Sequence, residues 1–170
     1  QPSKLTLLII NLLGGAAVIG SYAWGFLGNP GGLEAFWGGV PAGIRTAISL
    51  NMLLAAAGYL AIIFILLLRV PVSATVGKHP FWTFHVIYLV ILIPSALWMP
   101  LTQAVIQQYT PPGWFSVVLV LVLTALAGIA LLIALLTLRP ALSARLRTLA
   151  VIGSAFFILQ TTVLDAILWT

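Results

Sequence analysis

Two of the 170 residues are acidic, and one of them, Asp165, stands inside the apolar run TTVLDAILWT, four residues ahead of Trp169. A carboxylate in hydrocarbon is costly, so it needs a partner or a task. The sequence offers Arg45 as the partner: each residue lies near the end of an apolar segment on the same expected side of a membrane. An Arg45–Asp165 ion pair would relieve both charges. Catalytic chemistry has less footing. His79 and His85 are six apart, a spacing that does not place two imidazoles on one helical face as metal ligands, and there is no cysteine to add a thiolate. No nucleophile–base signature, phosphate loop or metal motif occurs, so no catalytic residue and no metal site is expected. His85, about one turn into its segment and near Tyr88, reads as a hydrogen-bonded interfacial residue.

The remaining candidates are aromatic. In FWTFHVIYLVILIPSALWMPLTQ, Pro94 and Pro100 bracket Trp98. Proline removes a backbone donor and frees a carbonyl one turn earlier, which predicts a kink that opens space between helices. Ser95 and Trp98, three apart, then share a face and form either a pocket wall with an aromatic platform or a packing kink around a tryptophan. The segment GNPGGLEAFWGGVPAG, within 28–44, is rich in Gly and Pro yet contains Leu33, Phe36 and Trp37. Its composition fits a lid over a pocket and an interfacial anchor equally well. Trp82, Trp114 and Trp169 fall at segment ends, where an indole suits the membrane interface.

The elements that must position these residues follow from composition. Hydrophobic residues make up 62% of the chain, charged residues 5%, and mean hydropathy is +1.22; a soluble domain carries about a quarter charged residues. The bilayer is the expected solvent. Five continuous apolar segments, 5–27, 45–68, 81–101, 114–138 and 148–169, are each long enough to cross about 30 Å of hydrocarbon as helices and lack the two-residue alternation of barrel strands. The expected fold is an all-α membrane protein, five transmembrane helices in a single bundle. The first segment exceeds the apolar core of a secretory signal and is kept as a helix. Small residues, among them Gly14, Gly15, Gly20 and the AAAG ending at Gly58, predict close helix contacts within the chain or between copies. Lys4, Arg69, Lys78, Arg139, Arg145 and Arg147 fall on one side, with Arg45 alone opposite. The positive-inside rule then predicts a cytoplasmic amino terminus and an external carboxyl terminus in a bacterial cell membrane. Seven scattered basic residues form no stripe for nucleic acid, so no nucleic-acid partner is expected.

The second half resembles the TspO/MBR family, the translocator proteins also called peripheral-type benzodiazepine receptors. In that family the third helix tends to carry a tyrosine and, ten residues later, a tryptophan followed by proline and preceded by asparagine; here Tyr88, Trp98 and Pro100 keep the pattern, with Ser95 in the asparagine's place. RPALSARL is similar to the family's fourth connection. In TTVLDAILW, Leu164, Asp165 and Trp169 match the register of the fifth helix, where the family has asparagine at the aspartate. Trp37 and Pro41 echo the family's first loop, whereas the family's Pro-Val-Trp triplet is absent from the second helix. The resemblance implies a protein that binds a hydrophobic small molecule, a tetrapyrrole such as protoporphyrin or a sterol-like compound, with no cofactor required. It implies Trp98 and Trp169 as aromatic walls, Ser95 and Asp165 as orienting polar groups, residues 28–44 as the lid, and Trp37 and Tyr88 as further ligand-binding residues. A mostly apolar pocket with a few polar groups suits such a ligand. The alternative expectation is a non-catalytic accessory or structural subunit of a larger membrane complex, or a homodimer, that uses the small-residue faces to bind other membrane chains.

Overall fold

Backbone surrounded by hydrocarbon has to bond to itself, and this chain does so as five long helices. A computed structural model of the protein describes residues 3–28, 32–37 and 39–168. The helices are α1 (Lys4–Gly28), α2 (Ala42–Arg69), α3 (Thr83–Gln107), α4 (Pro111–Leu136) and α5 (Ala144–Ile158), the last continuing as a π-helical stretch, Leu159–Asp165. The shortest span, Ala144–Asp165, has 22 residues, about 33 Å of helical rise against about 30 Å of hydrocarbon. The chain is a helical integral membrane protein with one bundle.

Helix ends follow local chemistry. α4 begins at Pro111, earlier than its apolar run suggests, because the Thr110 hydroxyl accepts the Gly113 N–H at 3.2 Å and two prolines occupy the first turn. α3 runs past the expected stop at 101 to Gln107, through both Pro94 and Pro100. Each proline removes one donor, and α1 and α4, packed along α3, hold the helix in one piece.

Around the bundle the contacts run α1, α3, α4, α5, α2, with a sparser seam between α2 and α1. The Tyr59 hydroxyl bonds Asn11 Oδ1 across that seam. α2 and α5 cross at Gly58 and Gly153, where a Cβ on Gly58 would lie 2.5 Å from the Gly153 Cα; only two glycines permit this backbone contact. Gly14 packs on Leu92, while Gly15 and Gly20 face open space.

The two connections at the basic end are joined, which the sequence did not suggest. β1 (Thr75–Val76) pairs antiparallel with β2 (His79–Pro80) in a tight hairpin and with β3 (Leu138–Arg139) from the α4–α5 connection. Gly77, at φ +59°, makes the turn and donates its N–H to the Thr137 carbonyl at 3.0 Å. Beneath this sheet lies the main apolar core, including Leu7, Ile62, Leu66, Phe81, Phe84, Tyr88 and Leu131. His85 is buried within it, donating Nε2–H to the Ser3 carbonyl at 3.0 Å and tying the start of α1 to α3.

Candidate functional site

At the end away from the sheet a second set of aromatic and polar side chains collects. Tyr22 of α1 packs against Trp98 of α3, ring centroids 5.5 Å apart and tilted by 40°. Phe26, one turn after Tyr22, meets that ring edge-on at 5.8 Å and in turn meets Phe36 at 5.8 Å. Phe36 belongs to a 3-10 turn, Gly32–Trp37, and with Val40 is buried, so these described parts of the connection fold back onto the bundle.

This fold-back is fastened to α2. The Arg45 guanidinium pairs with Glu34, donates Nε–H to the Val40 carbonyl at 3.1 Å, and stands 5.4 Å from the centre of the Trp37 ring. Arg45 therefore does not pair with Asp165, and the expected ion pair is corrected to Arg45–Glu34. Glu34 is eleven residues away on a short loop, so closing that contact sacrifices little chain entropy. Asp165 faces another way, within electrostatic reach of Tyr22.

Asp165 takes its hydrogen bond from an amide. Gln160 Nε2 donates to Asp165 Oδ1 at 2.8 Å, and Asn51 of α2 donates to Gln160 Oε1 at 3.0 Å and to the Phe156 carbonyl at 3.3 Å. The π-helical stretch makes this possible. Residues five apart point well away from each other on an α-helix, but an i→i+5 backbone brings them onto one face, as in the Leu168 N–H to Val163 carbonyl bond. The two amides are buried and form a polar chain from α2 to the carboxylate.

One turn beyond Trp98, α3 buries two more polar residues, Thr102 and Gln103. Thr102 Oγ1 and Gln103 Oε1 make no hydrogen bond among the described residues. Gln103 faces the end of α1, its Nε2 3.7 Å from where a Cβ on Gly28 would sit. Met99, one turn earlier, abuts Gly25 beside Phe36.

The structure thus packs Trp98 against Tyr22, with Asp165 in electrostatic reach of the same residue, and sets Trp37 beside Arg45 in the fastened loop. Ser95 is one turn away, and its hydroxyl donates to the Ile91 carbonyl at 2.7 Å. Tyr88 is not gathered there: ten residues from Trp98, it lies about 15 Å along α3, fully buried in the main core with its ring 5.4 Å from Tyr59. Trp169 lies outside the described residues. Tyr22, Asn51, Glu34, Thr102, Gln103 and Gln160 were the residues that sequence reasoning passed over. The signal was there: amides inside apolar runs carry the same demand for a partner that drew attention to Asp165. No group of three or more metal-ligating side chains forms among the described residues. Comparison with protein-family profiles, with curated proteins and with solved structures gives no match.

Proposed function

We propose that the chain is a TspO-like membrane protein that binds a hydrophobic small molecule, a tetrapyrrole or a sterol-like compound, at its aromatic end beneath the 28–44 loop. The observation that carries this reading is that two of the buried, unbonded polar atoms of the bundle, Thr102 Oγ1 and Gln103 Oε1, fall side by side one turn from the Tyr22–Trp98 rings, whereas others, such as those of His85 and Tyr88, lie in the main core. Buried polar groups without partners are uncommon because each costs about 1–3 kcal/mol. A ligand with an apolar plate and a polar edge supplies the missing partners, stacking on Trp98 while its edge reaches Gln103, Thr102 or the Gln160–Asp165 chain. Phe36 packs beside Gly25 and Met99, so access requires the loop to lift, and the Glu34–Arg45–Trp37 contacts act as its latch. The charge bias supports a cytoplasmic amino terminus, which puts this end on the outer face of a bacterial cell membrane.

The test is a titration of the purified protein with protoporphyrin IX, and separately with a sterol, followed by tryptophan fluorescence and thermal unfolding. Saturable quenching is expected in the wild type and is lost in Trp98→Ala. Gln103→Leu is the sharper variant: without ligand it unfolds at the same or a higher temperature, because an unsatisfied buried amide is gone, yet it binds more weakly. Absence of saturable binding by either compound overturns the reading. Co-purification of a stoichiometric protein partner then favours the accessory-subunit alternative, for which α1, buried in the chain only at Leu7 and Gly25, provides an outward face.

A further inference from the structure

Both acidic residues sit at the aromatic end, and six of the seven basic residues sit at the other. The helix ends fix this placement: Lys4 opens α1, Arg69 closes α2, Lys78 lies in the hairpin, Arg139 in β3, and Arg145 and Arg147 in the first turn of α5. Among the described residues the ion pair of Arg45 with Glu34 takes up one acid, and Asp165 is a membrane thickness away. The basic face therefore has no counter-charge among the described residues.

Two shallow, open grooves lie on the outside of the bundle at this face. One, of about 240 Å³, runs between α2 and α5, floored by Ala61, Phe64, Leu68 and Leu149, with Arg69 at its mouth. The second, of about 440 Å³, adjoins it through Leu149 and continues along α5 past Ile152 and Thr148 to Arg145. From Ala61 to Arg69 is about 12 Å along the helix, close to the depth of one hydrocarbon leaflet. Each groove is apolar along its length and ends in an exposed guanidinium. Those two guanidinium groups make no ion pair among the described residues.

We propose that this α2–α5 face binds an acidic phospholipid, with an acyl chain along the grooves and the phosphate held by Arg69 and Arg145. The occupant follows from complementarity in both parts. A shallow apolar strip of leaflet depth fits an acyl chain, and planar five-donor guanidinium groups at its end fit a phosphate. Thr148, beside Arg145, offers a hydroxyl to the same headgroup. Basic clefts between transmembrane helices at a membrane surface recognise anionic headgroups in this manner.

The test is native mass spectrometry of the full chain in mixed micelles that contain phosphatidylglycerol and phosphatidylcholine at equal amounts. The wild type is expected to retain one phosphatidylglycerol in preference to phosphatidylcholine. The double variant Arg69→Gln, Arg145→Gln loses that preference by about tenfold or more, whereas Arg139→Gln, Arg147→Gln, with the same net charge, keeps it. Leu149→Trp, which fills the shared wall without touching charge, weakens retention of the lipid. Equal loss in both double variants overturns the proposal in favour of a diffuse surface field. Undiminished retention in Leu149→Trp removes the acyl chain from the grooves, and displacement of the lipid by millimolar inorganic phosphate alone makes the site one for a free anion. Thermal unfolding of each variant confirms that the bundle is intact.

Discussion

The two ends of this bundle treat charge in opposite ways. At the aromatic end each acid has a partner inside the chain: Glu34 meets Arg45 and Asp165 meets Gln160, which is itself held by Asn51. At the basic end the cations stand outside an apolar core that runs from Leu7 to Leu138 and includes Phe81, Phe84 and Tyr88, and they form no ion pair among the described residues. The difference shows what each surroundings can tolerate. A carboxylate or an amide inside a membrane span is costly unless something bonds it, which Gln160 does for Asp165 and Asn51 for Gln160, while guanidinium groups on flexible stems at a helix end can reach headgroups and solvent. The aromatic end is organised by internal hydrogen bonds and the basic end by its surroundings.

The strongest way to break this contrast is to part the helices that serve both ends. Gly58→Leu places a side chain where α2 and α5 backbones touch at Gly153, and we expect a loss of about 3 kcal/mol or failure to fold. Thermal unfolding in detergent measures it, and a change below about 0.5 kcal/mol would mean that the crossing is loose. Gln160→Leu attacks the aromatic end alone. It strips the bonded amide from Asp165 and leaves Asn51 only the Phe156 carbonyl, for an expected loss of about 2–3 kcal/mol. Asp165→Asn, which can still accept from Gln160, should stay within about 1 kcal/mol of the wild type. If the two variants are equally damaging, the carboxylate charge matters more than the hydrogen-bonded chain.

The smallest effects compare exposed charges across the ends. Glu34→Ala removes an ion pair whose acid is largely exposed, so its global cost is about 1 kcal/mol or less. The loop should nevertheless open more often, read as faster proteolysis or amide exchange around residues 34–40. Arg147→Ala, at the basic end, should change neither stability by more than about 0.5 kcal/mol nor exchange at that loop. A protected loop in Glu34→Ala would show that Phe36 and Val40 burial alone fastens it.

Much of the architecture was legible because membrane spans are written in long runs of one chemistry. Leu5, Phe64 or Leu126 needs no defined partner to declare a helix in lipid, and the five spans, their single bundle and the clustering of cations at one end followed from counting. Legibility fell where tertiary contact outweighed local pattern. The apolar run of α3 predicts an end near 101, yet the helix, packed between α1 and α4, continues to Gln107. Arg45 was matched to Asp165 because both charges stood out in an apolar chain, and Glu34, nearer in sequence, was the true partner.

By itself the sequence determined the solvent, the helices and the scarcity of charge, since these depend on composition summed over some twenty residues at a time. The tertiary structure alone decided which polar groups meet. That choice rests on directions: a π-helical turn that rotates Asp165 beneath Gln160, a glycine contact that brings Asn51 of α2 alongside α5, and a ring order that places Tyr22 against Trp98 but leaves Tyr88 in the core. A single shift of register would turn each of these side chains toward lipid, and nothing in the local sequence fixes that register until the helices pack.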